Sequence, residues 1–255
     1  MISSFSAIIL GLVEGFTEFL PVSSTAHLIL TSRLLGLGQT NFIKTFEIAI
    51  QSGAMLAVIA IYWRKLIDVE VLKRVIAAFI PTAIVGLIFY KIVKNYLFES
   101  QTVILIALAL GGIVLIFFEK FIRQENSVTD IKQLSYGKVV WVGLAQAVSI
   151  IPGVSRSAAT IVGGMFLGIS KEAIVEFSFL LAIPTILAAT VFDLIKSPNI
   201  FLADQLTGLG MGFIVSFLAA WISIKFLLSY VRNNSLAIFG WYRLILVAVF
   251  VLFLL

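Results

Sequence analysis

Two glutamates, four hydroxyl residues and a histidine stand together in GLVEGFTEFLPVSSTAH, residues 11–27, inside an otherwise apolar sequence. Glu14 and Glu18 are spaced i, i+4, which puts both carboxylates on one helix face. Like charges so placed repel, and a bound divalent cation, a shared proton or a nearby arginine relieves them. Both are hard oxygen ligands of the kind Mg²⁺ or Ca²⁺ prefers. A pair of protonated or interfacial glutamates is the plainer alternative. Ser23, Ser24 and Thr25 follow Pro21 and can cap a helix, presenting hydroxyls and orphan backbone amides at its positive end. His27, the single histidine, lies one turn after Ser24 and can share its face. General acid or base chemistry and a hydrogen-bonded structural role are both open to it.

A second cluster, PGVSRSAAT at 152–160, combines a turn that glycine permits, Ser155 and Ser157 flanking Arg156, and Thr160 one turn on. An arginine fork matches phosphate oxygens, and a following helix N-terminus adds amide donors. The cluster reads as an anion cradle. Arg156 pairing with Glu14 or Glu18 to hold the two segments together is the alternative, and the two roles are compatible.

These groups must be positioned by elements that live in lipid. Hydrophobic residues are 61% of the 255 positions and charged ones 12%, with a mean hydropathy of +1.13. A soluble domain carries about 45–50% apolar and about 25% charged residues. The expected fold is all-α: a polytopic membrane protein in one membrane domain, 1–255. Spans are expected at about 43–63, 75–94, 101–121, 172–193, 206–230 and 237–254. Two further apolar regions, 3–35 and 138–169, are broken by Pro, Gly and Ser clusters. Their halves are short for a span and suit the arms of re-entrant hairpins whose tips are buried in protein.

The broken regions match each other. Sliding the sequence by 132 positions lays residues 11–14 on 143–146 and Val22-Ser23 on Val154-Ser155; at an offset of 131, FEIAIQSGAML at 46–56 falls on FSFLLAIPTIL at 177–187. The chain reads as an internal duplication, 1–121 and 138–255 joined by a linker at 122–137. Each copy holds one hairpin and three spans, and an odd number of spans makes the second copy inverted. With both termini outside, the inner loops carry most of the basic residues, among them Arg64, Lys65, Lys73, Arg74, Lys120, Lys132 and Lys138, as the positive-inside rule asks. The two tips then approach from opposite sides and can meet near the middle of the bilayer.

The net charge of +5 is spread at the ends of apolar runs with no continuous basic stripe, so a nucleic-acid partner is not expected. With no cysteine, disulfides, thiolate metal sites and a cysteine nucleophile are excluded. The N-terminal run lacks a basic segment and is interrupted by Glu14, so it does not read as a cleaved signal peptide.

The stretch Glu14-Gly15-Phe16-Thr17-Glu18-Phe19-Leu20-Pro21-Val22-Ser23-Ser24-Thr25-Ala26-His27 and the stretch Pro152-Gly153-Val154-Ser155-Arg156-Ser157 closely resemble the two signature motifs of the undecaprenyl-diphosphate phosphatase family, the integral-membrane type linked to bacitracin resistance. The likeness covers the whole chain, and the paired motifs in this order are more specific than either alone. Ala26 and Ala158 stand where glycine is expected, and Ser52 after Gln51 is another minor departure. The resemblance implies removal of the terminal phosphate of undecaprenyl diphosphate, which returns the monophosphate carrier to cell-wall synthesis in a bacterial inner (plasma) membrane. It implies catalytic roles for Glu14, Glu18, Ser24, His27 and Arg156, and a divalent cation, Mg²⁺ or Ca²⁺, at Glu14 and Glu18. Ser23, Thr25, Gln51, Ser155, Ser157 and Thr160 follow as substrate-binding candidates. Tyr242-Arg243 also looks like a family feature, without an evident role. The partners implied are the polyprenyl diphosphate and membrane lipid, and a homodimer is compatible with the plan.

Ser24 attack on phosphorus, assisted by His27 or Glu18, and direct attack by a metal-bound water both fit these residues. The competing class is transport. Inverted repeats with broken helices are a common plan of secondary transporters, and a flippase of a phosphorylated polyprenyl lipid would need the same arginine and helix termini. An acidic pair beside a serine and a histidine favours the enzyme.

Overall fold

The computed structural model describes residues 2–38, 40–97, 100–122, 127–196 and 205–254. Residues 123–126 of the expected linker lie outside them. Among the described residues the chain forms ten α-helices: α1 (Ser4–Thr17), α2 (Ser24–Leu34), α3 (Asn41–Leu66), α4 (Val69–Ile92), α5 (Gln101–Phe117), α6 (Tyr136–Ala147), α7 (Arg156–Phe166), α8 (Lys171–Lys196), α9 (Leu206–Val231) and α10 (Ala237–Leu254). The only β pairing among them is an isolated parallel bridge between Val128 and Ile169. Hydroxyl and acidic caps open many of the helices: Ser3, Thr40, Asp68, Ser100 and Ser135 each accept a hydrogen bond from a first-turn amide, which satisfies donors that a helix start leaves orphaned.

Among the described residues, five helical stretches are long and apolar enough to cross a membrane: Thr45–Leu66, Val69–Ile92, Gln101–Phe121, Lys171–Phe192 and Leu206–Val231. They correspond to five of the six expected spans. The sixth, 237–254, forms α10, which with α1 falls among the shorter apolar helices. Helix α4 starts at Val69 rather than near 75, because Asp68 caps it and its first turns carry Glu70, Lys73 and Arg74. Such charges interrupt the apolar run without interrupting the helix. Beside the same cap, Lys132 of the linker lies 2.6 Å from the Asp68 carboxylate and, by that hydrogen bond, holds the Asp68 carboxyl below its usual range.

The broken regions fold as two hairpins, α1 with α2 and α6 with α7. Pro21 and Pro152-Gly153 lie in the irregular tips, whereas Pro81 and Pro184 sit inside α4 and α8. Each hairpin leans on a helix from the other half of the chain: α1 runs along α9, and α6 along α4. These crossings are close because small residues line them. A Cβ on Gly11 would stand 2.5 Å from the Gly212 carbonyl oxygen, and one on Gly15 would press on Ser216 and Ala219. In lipid, where apolar faces gain little by leaving the solvent, such backbone proximity is what joins helices. Gly11→Ala is therefore expected to push α1 off α9 and lower stability by about 1–3 kcal/mol, read as a fall in the thermal unfolding midpoint in detergent.

The core lies where α3, α7, α8 and the second half of α9 meet the tips, with Phe19, Met55, Ile161, Phe177 and Phe179 buried there. The outer surface is apolar: Phe5, Ile84, Leu87, Ile88, Trp141 and Leu252 are exposed. A surface of that kind is suited to hydrocarbon.

Candidate active site

Helix α1 delivers Glu14 to its last turn and Glu18 to its C-terminal cap. Both are buried. The chain then turns through Pro21 and reaches Ser23, whose backbone is left-handed at φ 72° and ψ 89°, before α2 begins at Ser24. A left-handed non-glycine residue is uncommon and costs of order 1–3 kcal/mol, so the surroundings must hold it. The turn brings the Ser24 side chain back onto the preceding helix end. Its Oγ donates to Glu18 Oε2 at 2.6 Å, within a buried setting. That length is typical of a hydroxyl on a charged carboxylate. Glu18 is thus placed to take the Ser24 proton. Behind it, both Glu14 oxygens are buried without a hydrogen-bond partner, and the charged groups around them are Glu18, Glu47 and Arg156.

The second tip repeats the backbone device. Gly153 has φ 97° and Ser155 φ 75°; Ser23 and Ser155 are the two non-glycine residues with positive φ among those described. A Cβ on Gly153 would stand 2.5 Å from the Ile104 carbonyl oxygen, so the turn needs glycine for both conformation and space. Ser155 caps α7 by accepting from the Ala158 amide at 3.2 Å, and Arg156 is the first residue of that helix. Its Nη1 donates to the Ser178 carbonyl at 2.8 Å, and its Nε lies 3.4 Å from Glu18 Oε1. Its Nη2 is buried with no partner. The guanidinium is anchored on one side and has an unused donor on the other.

The tips enclose a cavity of about 170 Å³. Of the residues expected to act, Glu18, Ser24 and Arg156 line it, as do Ser23, Thr25, Gln51 and Ser155. Others are near but turned elsewhere. Ser157 donates to the Phe19 carbonyl at 2.8 Å, joining the second tip to the first. Thr160 donates to the Arg156 carbonyl at 2.9 Å and lies 3.3 Å from Gln146 Oε1. Both residues are fully buried and their hydroxyls serve backbone carbonyls, Thr160 one turn back in its own helix, a common use of threonine within helices, and Ser157 across to the other tip. His27 does not reach Ser24's proton, which is directed at Glu18. Its Nδ1 lies 2.8 Å from the Ser23 carbonyl and its Nε2 lies 2.7 Å from the Tyr242 hydroxyl. A carbonyl can only accept, so Nδ1 carries the hydrogen, and in the neutral ring Nε2 accepts from Tyr242.

Two polar cavity residues escaped sequence reading, Ser149 and Thr185. Thr185 lies in the run FSFLLAIPTIL that resembles the one holding Gln51, the one available signal for it, and Ser149 lies just before Pro152. Ser178, which anchors Arg156, is in the same run.

A cation at this place must find oxygen donors. Among the described residues no group of three or more histidine, cysteine, aspartate or glutamate side chains is gathered for a metal. The orphaned Glu14 carboxylate next to Glu18 nevertheless fits Mg²⁺, which is commonly held by one or two carboxylates and completes its shell with waters and phosphate oxygens.

Residues 7–249 match the family described as "Bacitracin resistance protein BacA". A relative from Aquifex aeolicus (strain VF5), named undecaprenyl-diphosphatase, is 47% identical over 99% of this chain and 99% of its own. Two more of that name, from Persephonella marina (strain DSM 14350 / EX-H1) and Wolinella succinogenes (strain ATCC 29543), are 48% and 46% identical, each over 98% of both chains. By its family match and by relatives alike in sequence from end to end, the chain belongs to the bacitracin resistance protein BacA family.

Proposed function

We propose that the chain is a membrane phosphatase that hydrolyses undecaprenyl diphosphate to undecaprenyl phosphate and inorganic phosphate. The observation that carries it is a serine hydroxyl bonded at 2.6 Å to a buried carboxylate, lining the same cavity as an arginine with an unused donor.

The terminal phosphate enters the cavity and accepts from Arg156 Nη2. Ser24 Oγ passes its proton to Glu18 and attacks the terminal phosphorus. The bond to the bridging oxygen breaks, undecaprenyl phosphate leaves, and the phosphate stays on Ser24. Glu18 now holds the proton. Water then attacks the phosphoserine, its protons stay with the phosphate, and as the Ser24–phosphorus bond breaks Glu18 returns its proton to the Ser24 oxygen, releasing inorganic phosphate. Phosphoryl transfer depends above all on positioning and on neutralising the equatorial oxygens, which Arg156 supplies from the second tip. Glu14 and Glu18 are the residues that would hold a divalent cation, Mg²⁺ or Ca²⁺; when bound, it neutralises phosphate charge. Ser23, Thr25, Gln51 and Ser155 surround the phosphates as polar lining. The paired hairpins are a plan that transporters also use, but the Ser24–Glu18 pair would have no task in a carrier.

We further propose that the fold is an inverted repeat, 1–121 and 138–255 about a linker at 122–137, in one membrane domain of six spans with α10 as the sixth. In support, α2 and α7 begin 132 positions apart, each after a positive-φ serine, and the hairpins lean reciprocally on α9 and α4. The protein is placed in the bacterial inner (plasma) membrane, with the lipid diphosphate as its partner and no nucleic acid.

The purified protein in detergent, given a long-chain polyprenyl diphosphate, is expected to release phosphate with Mg²⁺ or Ca²⁺ and to stop when the cation is chelated. Release unaffected by chelation would remove the metal from the proposal, and no release under any cation would overturn the phosphatase reading.

A further inference from the structure

Two adjacent residues of α10 touch both tips, and the mechanism uses neither. Tyr242 is half-exposed and places its hydroxyl 2.7 Å from His27 Nε2, while His27 Nδ1 holds the Ser23 carbonyl at 2.8 Å. Ser23 is the left-handed residue immediately before Ser24. Arg243 is fully buried. Its Nη2 donates to the Gly153 carbonyl at 2.7 Å and its Nη1 to the Val154 carbonyl at 3.0 Å. The same guanidinium donates to Ala107 and Leu108 of α5 at 3.0 and 3.1 Å. A Cβ on Gly111 would collide with it, so the glycine leaves it room. Gly153 and Val154 lead directly into left-handed Ser155 and Arg156. Successive residues on a helix point about 100° apart, which lets neighbours on α10 reach two different tips.

We infer that Tyr242 and Arg243 are a positioning pair that sets the attacking Ser24 oxygen against the Arg156 guanidinium, with His27 as a link to the first tip rather than a carrier of the Ser24 proton. Arg243 grips the chain just upstream of Arg156 directly, and Tyr242 reaches the Ser23 carbonyl just upstream of Ser24 through His27. The hold through His27 falls on Ser23 and that of Arg243 on the two residues before Ser155. Ser23 and Ser155 are the two non-glycine residues with positive φ among those described, and strained backbone persists only where the surroundings over-determine it. The histidine ring has no site left for Ser24: one nitrogen is bonded to a carbonyl and the other to a phenol, and the Ser24 hydroxyl donates to Glu18. Unlike a proton carrier, such a link can be replaced by any side chain that donates to the Ser23 carbonyl.

The inference rests on the phosphatase reading, which the wild-type protein tests in the same assay. Tyr242→Phe is expected to lower kcat about tenfold, the scale of one lost hydrogen bond, with KM and the thermal unfolding midpoint unchanged. His27→Asn puts an amide N–H where Nδ1–H stood but cannot shuttle a proton. It is expected to stay within about tenfold of wild type and about tenfold or more above His27→Ala. Adding Tyr242→Phe to His27→Asn should cost nothing further, since the link between them is already cut. If His27→Asn is as inactive as His27→Ala while both remain folded, the ring carries a proton and the inference fails. It fails equally if Tyr242→Phe lowers kcat as much in the His27→Asn background as in wild type. Arg243→Lys, which keeps the charge and loses the fork, is expected to lower kcat more than Tyr242→Phe; a wild-type kcat would remove Arg243 from the pair. Should Arg243→Lys not fold, the Tyr242 and His27 set decides.

Discussion

Arg156→Lys is expected to lose about a thousandfold or more in phosphate release, close to the loss in Arg156→Ala, as for an arginine that stabilises a phosphoryl-transfer transition state. Conserving the charge does not rescue it, because the site uses the shape of the guanidinium. Nη1 is committed to the Ser178 carbonyl at 2.8 Å and Nε faces Glu18 at 3.4 Å, which leaves Nη2 for phosphate. A lysine offers one compact ammonium on a flexible stem and cannot hold the anchor while reaching the anion. The measurement is kcat on a long-chain polyprenyl diphosphate, with elution profile and unfolding midpoint as folding controls. Arg156→Lys within about tenfold of wild type would show that charge alone suffices, and the fork argument would be wrong.

The second large effect belongs to Ser24. Ser24→Ala is expected to fall by at least about a thousandfold, Glu18→Gln by a similar factor, and the double variant by little more than either. Residues that act as one unit are strongly non-additive, and the 2.6 Å bond joins these two. Acid quenching of the wild-type enzyme during turnover of substrate labelled in its terminal phosphate should trap label on Ser24, which Ser24→Ala abolishes. A Ser24→Ala protein that keeps most of its activity would make water the nucleophile and leave Glu18 to activate that water instead.

The sequence made much of this legible because charge in lipid is costly. Acids, hydroxyls and an arginine inside apolar runs therefore stand out, and Glu18, Ser24 and Arg156 do line one cavity. The tips were legible too, through Pro21 and Pro152-Gly153 and through the repeat. Less could be read of side-chain direction. Ser157 and Thr160 look like anion donors beside Arg156, yet their hydroxyls satisfy the carbonyls of Phe19 and Arg156. A serine or threonine in a helix has a carbonyl within reach whether or not a ligand is present, so residue type alone does not tell the two uses apart. His27 was read through its near neighbour Ser24, whereas its partner Tyr242 lies 215 positions away. No local spacing signals such a contact. Gln51 was added only by the resemblance, and its place on the cavity wall agrees with it.

The grip of Arg243 on both α5 and the second tip has a consequence for how the protein is made. Every residue that lines the cavity precedes Tyr242 and Arg243 in the chain. During synthesis both hairpins are thus inserted before the side chains that hold their tips have left the ribosome. The carbonyls of Gly153 and Val154 wait without their guanidinium, and Ser23 waits without the phenol behind its histidine. A nascent chain stalled before α10 would carry its nucleophile, its base and its arginine in an unfixed arrangement.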